Sequence, residues 1–193
     1  MQKIQIEKTI KKLNEFEESE QEQIVNNYRD INVNYEGWND YILEDFAEEI
    51  KIKTGLEIAL CDITWAVGDR NAKFGVYSKT IINQLLAKFE KNGVYDIYVP
   101  DKIGSFLSHL GGGICRQGST ELNLVEVYFE DDTEQKELVI KQINEIINIV
   151  IELSIKNFVK QEDEYRYLIS DEMVKETICM NDYDFDVETL KIF

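Results

Sequence analysis

The chain has 193 residues, of which 44% are hydrophobic, and this is enough apolar material for one compact domain with a single core. It is strongly acidic, because 38 aspartates and glutamates outnumber 21 lysines and arginines and leave a net charge of −17. Such a balance excludes the broad basic surface that direct binding of nucleic acid requires, and it opposes binding to an anionic membrane. We predict a single domain over residues 1–193 whose partner is a basic protein.

The N-terminal sequence and the cysteines both favour a cytoplasmic protein. The segment MQKIQIEKTIKK lacks the apolar stretch of a signal peptide, and the longest apolar run, IINIVIELSI, is too short to span a bilayer. Cys61, Cys115 and Cys179 are odd in number and show no CxxC spacing, which is typical of reduced thiols. We therefore expect a soluble protein of the host-cell cytoplasm with no membrane partner.

Two helices and a hairpin are predicted in the first half of the chain. Ser19 and Glu22 have the spacing of a capping box, which predicts a helix that begins at Ser19. A second amphipathic helix ends at Gly55, a residue type favoured where the backbone turns left-handed. The segments LEIALCDITWAV and KFGVYSKT then predict an antiparallel hairpin around a Gly68–Asp69 turn. The predicted buried face of the second helix consists of Trp38, Tyr41, Ile42, Phe46 and Ile50.

The second half of the chain predicts further strands and a long helix. IINQLLAKFEKNG is typical of a short helix that ends at Gly93, and VYDIYVP and LNLVEVYFE are typical of strands. Between Thr133 and Lys160 the apolar residues recur every three or four positions, which predicts a core helix across the sheet, with a coiled-coil seam as the alternative. Ser170 is the predicted N-cap of a last helix. The predicted fold class is α+β, with a mostly antiparallel sheet of four to five strands covered by the long helix and with helices at both chain ends.

One pair of residues has the composition of a catalytic site. His109 is the only histidine, and it precedes Cys115 by six positions, so a thiol nucleophile with an imidazole base is one hypothesis. The sequence shows neither an orienting third group nor a pocket for this pair. We therefore predict that the protein is not an enzyme and has no catalytic residues, and keep the Cys/His enzyme as an alternative.

Metal and cofactor motifs are not recognisable. One histidine and three scattered cysteines do not form a zinc site, and EDDTE at 130–134 lacks the glycine and the spacing of a calcium loop. The sequence contains neither a phosphate-binding loop nor a dinucleotide fingerprint. We predict no cofactor and no metal site, with loose binding of divalent cations by dense carboxylates as the alternative.

Two acidic clusters carry most of the functional information. Residues 34–49 contain six acids and no base, and residues 161–188 contain ten acids and two bases. Asp40, Glu44 and Glu48 lie four positions apart, so on a helix they rise by about 6 Å per step although like charges at this spacing repel. A surface without a binding role usually intersperses lysines. A row of carboxylates can imitate a row of phosphates and occupy a basic channel, whereas the alternative is a merely solvated face.

Three segments resemble a family of tailed-phage and prophage proteins with no established activity. They are NYEGWNDYILEDFAEEI, GLEIALCDITWAVGDRNAKFGVYS and DEYRYLISDEMVKETICMNDYDFD, in the family's order, and the likeness covers residues 19–80 and 160–186. The first motifs match at Trp38, Tyr41, Glu44, Asp45, Trp65, Gly68, Asp69 and Phe74. The last motif matches at Tyr167, Leu168, Ser170, Asp171, Glu172, Glu176, Asn181, Tyr183 and Phe185.

The chain departs from the family pattern at two places. Arg70 and Asn71 interrupt the usual Gly-Asp-Gly turn, and Asp186-Val187 replaces a terminal Asp-Gly. The resemblance implies a phage origin. By analogy with small acidic phage proteins, it implies an anti-CRISPR or antirestriction role.

We predict a non-enzymatic inhibitor that binds a basic host nucleic-acid-binding protein, such as a CRISPR effector, and contacts no nucleic acid itself. The carboxylates would steer the partner, and Tyr183 and Phe185 would be exposed aromatic anchors. The alternative is an antitoxin-like or regulatory binding module. The predicted partner-binding residues are Asp40, Glu44, Asp45, Glu48, Glu49, Asp182, Tyr183, Asp184 and Phe185.

Overall fold

The computed structural model describes residues 9–67, 72–98, 126–129 and 136–193. The Gly68–Asp69 turn, His109 and Cys115 lie outside the described residues. The helices are α1 Glu18–Asn27, α2 Asp40–Thr54, α3 Ser78–Phe89, α4 Lys136–Leu168 and α5 Asp171–Met180. The strands are β1 Ile10–Lys12, β2 Ile63–Ala66, β3 Lys73–Val76, β4 Val94–Tyr98, β5 Glu126–Phe129 and β6 Asp184–Asp186. This mixture confirms the α+β fold class.

The described strands pair two by two. The pairs are β1 with β6, β2 with β3, and β4 with β5, and all three are antiparallel. The predicted antiparallel pairing and the hairpin of β2 and β3 are confirmed, but the described strands do not join into one sheet of four to five strands. Because each strand has only three to five residues, each pair supplies a narrow apolar strip, and helices complete the core.

Two compact units are formed by the chain, and the prediction of a single domain stays a prediction. Unit 1 consists of Met1–Trp38 and Asp163–Phe193, and unit 2 consists of Asn39–Glu162. Among the described residues of either unit, no helix is both long enough and apolar enough to cross a membrane.

Unit 2 has a core built from helices α2, α3 and α4 and from the inner faces of its strands. The rings of Phe46 in α2 and Phe74 in β3 are both fully buried and meet edge to face, with centroids 4.9 Å apart. The predicted apolar stripe of the long helix is confirmed. Its buried members are Val139, Ile143, Ile146, Val150 and Leu153. Helix α4 ends at Leu168 rather than Lys160, because QEDEYRYL contains no glycine or proline that would end it.

Unit 1 joins segments from both parts of the sequence around a smaller core. Strand β1 pairs with β6 so that Lys11 lies opposite Phe185. The Arg29 guanidinium donates hydrogen bonds to the Ile169 carbonyl at 2.9 Å and to the Asp171 carboxylate at 2.7 Å. The buried apolar cluster of its described residues consists of Leu13, Phe16, Ile24, Val25, Val174, Ile178 and Phe185.

The helix ends follow most of the predicted signals. Gly55 adopts φ of 74° and caps α2, as predicted, and the Ser170 hydroxyl accepts a hydrogen bond from the Met173 N–H at the start of α5. Helix α1 begins at Glu18 rather than Ser19. Its N-cap is Glu17, whose N–H donates to the Glu20 carboxylate at 3.1 Å, so this contact replaces the predicted box.

Candidate functional site

Three predicted site residues form an exposed row on α2, which we call the carboxylate ridge: Asp40, Glu44 and Glu48. All three are exposed, and the opposite face of the helix buries Ile42 and Phe46 completely. Among the described residues, no lysine or arginine forms a salt bridge with a ridge carboxylate. The ridge extends about 12 Å along the helix axis, since each residue adds about 1.5 Å. It presents a short row of negative charges that form no salt bridge with the described residues.

The other two predicted acids of α2 are neutralised by lysines from α4. The Lys160 ammonium lies 2.7 Å from the Asp45 carboxylate, and the Lys156 ammonium donates a hydrogen bond to the Glu49 carboxylate. Lys160 follows Asp45 by 115 positions and Lys156 follows Glu49 by 107, so these contacts could not be predicted from the acidic segment itself. Asp45 and Glu49 therefore contribute less net charge to the surface than the ridge does.

Tyr41 lies on the flank of α2 and not on its buried face. Its side chain is 43% exposed, and the Lys160 ammonium lies 4.9 Å from the ring centroid. The prediction that Tyr41 is buried is therefore wrong, whereas burial of Trp38, Ile42, Phe46 and Ile50 is confirmed. A ring can take this position because its face attracts the cation while its edge remains in water.

The carboxylate ridge ends before the last turn of α2, which contains basic residues. After Glu48, the last turn of α2 contains Lys51 and Lys53, and the Lys51 ammonium lies 3.0 Å from the Glu57 carboxylate. The hydrogen bond to Glu57, together with the charges of Glu57 and Glu48, raises the pKa of Lys51. The negative row is thus confined to the first two and a half turns of the helix.

The second predicted group, at 182–185 in unit 1, is organised by Lys12. The Lys12 ammonium contacts the Asp182 carboxylate at 3.0 Å, the Asp184 carboxylate at 2.9 Å and the Asp182 carbonyl at 2.6 Å. Asp182 has a side chain that is 82% exposed, whereas Asp184 and Tyr183 are half-buried. These two carboxylates therefore share one cation and are weaker candidates for steering than the ridge.

We expect the Lys12 contacts to stabilise the fold only while Lys12 is charged. The hydrogen bond to Asp184 contributes most to raising the pKa of Lys12, and Asp182 adds to it. A raised pKa in the folded state gives stability that is present below the unfolded value of about 10.4 and is lost as the pH rises through the folded value. Urea unfolding of the wild type and of Lys12→Gln should differ at pH 8 and converge in strongly alkaline buffer; a difference independent of pH would contradict this.

Phe185 cannot act as an exposed anchor, and this prediction is wrong. Its side chain is fully buried and meets the rings of Phe16 and Tyr28 edge to face, with centroids 6.4 Å and 5.7 Å apart. The pattern Asp-Phe-Asp has the two-residue period of a strand, and this period turns the central ring to the opposite face from Asp184. This alternation could have predicted that Phe185 is buried, but the tail was interpreted as an aromatic-acidic binding segment.

A cleft of about 140 Å³ lies beside the tail of unit 1, with Lys12, Cys179, Asp182 and Tyr183 among its lining residues. The Cys179 thiol is free and exposed. Over the described ranges, no three histidine, cysteine or acidic side chains are placed to hold a metal ion.

The predicted residues thus belong to two units: the ridge lies in unit 2, and the Asp182–Tyr183 segment lies in unit 1. Comparison of the chain with protein families, curated proteins and solved structures finds no match. The functional argument therefore depends on the chemistry of these surfaces and on the sequence.

Proposed function

We propose that this protein is a stoichiometric inhibitor that binds a basic nucleic-acid-targeting defence protein in the cytoplasm of the host cell. The carboxylate ridge carries the proposal. Asp40, Glu44 and Glu48 are exposed at a regular spacing and form no salt bridge with a described lysine or arginine, although Asp45 and Glu49 on the same helix each form one.

Electrostatics supports a basic channel as the target. With a net charge of −17, the protein is attracted over a long range to a surface that is rich in lysine and arginine. At contact, the ridge carboxylates exchange water for charge-assisted hydrogen bonds with such side chains. Nucleic acid and the ridge would then compete for the same cations, and this competition is the inhibitory mechanism.

Unit 1 offers a second, weaker contact. Asp182 is largely exposed, and Tyr183 is half-buried beside it. The resemblance of the acidic helix and of the C-terminal segment to tailed-phage proteins supports the choice of an anti-CRISPR or antirestriction target by analogy. No catalytic step is part of the proposal.

We expect charge reversal of the ridge to abolish inhibition. In the variant Asp40→Lys, Glu44→Lys, Glu48→Lys, each attraction to a basic channel becomes a repulsion, so the affinity should fall on the order of 100-fold or more. The first measurement is a pull-down from a bacterial lysate that contains a CRISPR effector, with washes at low and at high salt. Inhibition of target cleavage by the recovered effector is then compared between the wild type and the variant.

A matched variant controls for overall charge. Glu22→Lys, Glu152→Lys, Glu176→Lys changes the same number of charges at three exposed carboxylates on other helices. It should retain most of the inhibition, and circular dichroism should show both variants folded. Full inhibition by the ridge variant would contradict the assignment of the ridge, and an acidic or salt-resistant partner would favour the regulatory binding module.

A further inference from the structure

The outer face of the β4–β5 pair exposes two neighbouring tyrosine rings. Tyr95 is 57% exposed and Tyr128 is 39% exposed, and their ring centroids lie 6.3 Å apart. Val94 and Ile97 on the inner side of β4 are buried. The pairing is irregular between Val94 and Asp96, and at this irregularity two consecutive residues, Tyr95 and Asp96, are both exposed.

Two carboxylates accompany the rings. Asp96 lies opposite Tyr128 in the strand pairing, and the Glu126 carboxylate accepts a hydrogen bond from the Tyr128 hydroxyl at 2.5 Å. Both acids are exposed, and neither β4 nor β5 contains a lysine or arginine. The hydrogen bond to Glu126, with the charges of Glu126 and Asp96, raises the pKa of Tyr128, as expected in a negative environment. We call these four residues the tyrosine–carboxylate face.

This combination selects a cation over other ligand classes. The face of an aromatic ring attracts a positive charge, and an adjacent carboxylate accepts its hydrogen bonds. An anion would be repelled by Asp96 and Glu126, and a purely apolar group would leave both carboxylates without a new partner. A planar guanidinium can stack on a ring and donate several N–H bonds at once, whereas an ammonium is a strongly hydrated point charge.

We propose that the tyrosine–carboxylate face binds an arginine side chain of a basic protein segment. The inference rests on the proposed function only in taking the partner to be basic, because it uses residues separate from the carboxylate ridge. It adds ring stacking, which the ridge carboxylates cannot supply and which favours arginine over lysine.

The test uses labelled octa-arginine and octa-lysine peptides of equal charge. Fluorescence anisotropy at low ionic strength should show that the wild type binds the arginine peptide about two- to fivefold more tightly, the factor expected for one exposed cation–π contact. The variant Tyr95→Ala, Tyr128→Ala should lose this preference. Tyr95→Phe, Tyr128→Phe keeps both rings and should retain it. The control Tyr35→Ala, Tyr167→Ala removes two rings of unit 1 that are 58% and 56% exposed, and it should also retain the preference.

The same titration separates this inference from the proposed function. Charge reversal of the ridge should weaken both peptides alike and leave the arginine preference intact. If the preference is absent in the wild type or survives in Tyr95→Ala, Tyr128→Ala, the inference is wrong, whatever the ridge variant does. If the alanine variant does not fold, Tyr95→Leu, Tyr128→Leu keeps apolar side chains without aromatic faces and should also lose the preference; an unchanged preference there would overturn the inference.

Discussion

Replacement of Phe185 by alanine should lower the free energy of unfolding by about 3–5 kcal/mol, the usual cost of removing a fully buried aromatic ring. Among the described residues, the ring lies in a cluster of seven buried apolar residues, and it packs edge to face against Phe16 and Tyr28. Urea unfolding followed by circular dichroism measures the change.

Tyr183→Ala is the matched control for Phe185→Ala. Tyr183 is two positions away and half-buried, so its truncation should cost clearly less stability. A fully stable Phe185→Ala variant that fails to bind the partner would restore the anchor role that burial excludes. A destabilised variant that still binds when folded would confirm the structural role.

Phe46→Ala should be equally costly in unit 2, by about 3–5 kcal/mol. Phe46 and Phe74 are both fully buried, with a relative exposure of 0%, and their rings contact each other edge to face. A double-mutant cycle with Phe74→Leu should yield a coupling of about 0.5–1.5 kcal/mol beyond the area buried, as for other edge-to-face pairs.

Tyr41→Ala controls for helix α2 in the same unfolding experiment. Tyr41 is 43% exposed, and the Lys160 ammonium lies 4.9 Å from its ring centroid, so its truncation should cost clearly less stability than Phe46→Ala. Equal destabilisation by Phe46→Ala and Tyr41→Ala would contradict the assignment of the two faces of α2.

Local patterns predicted the helices well. The spacing of apolar residues and the helix caps depend on residues that are close together in the chain. For this reason the caps at Gly55 and Ser170 and the buried stripe of α4 could be identified from the sequence. The antiparallel hairpin of β2 and β3 was predicted for the same reason. Strand partners beyond a hairpin depend on tertiary packing, so the separation into two-stranded pairs could not be predicted.

The candidate site was predicted less completely. Five acids of α2 looked alike in the sequence, yet Asp45 and Glu49 form salt bridges with described lysines, whereas Asp40, Glu44 and Glu48 form none. The difference depends on Lys156 and Lys160, which only the fold brings near. The tyrosine–carboxylate face was also missed, because Tyr95 and Tyr128 come from strands that are separated by a long stretch of chain.

The composition of unit 1 from two separate segments bears on the order of events during synthesis. Strand β1 leaves the ribosome among the first described residues, but its partner β6 at Asp184–Asp186 is made more than 170 residues later. Unit 2 is a continuous segment, Asn39–Glu162, and is complete before β6 exists. Domains generally fold as units during translation. The unit that bears the ridge is therefore ready to fold first, while β1 cannot form its pair until β6 has been made.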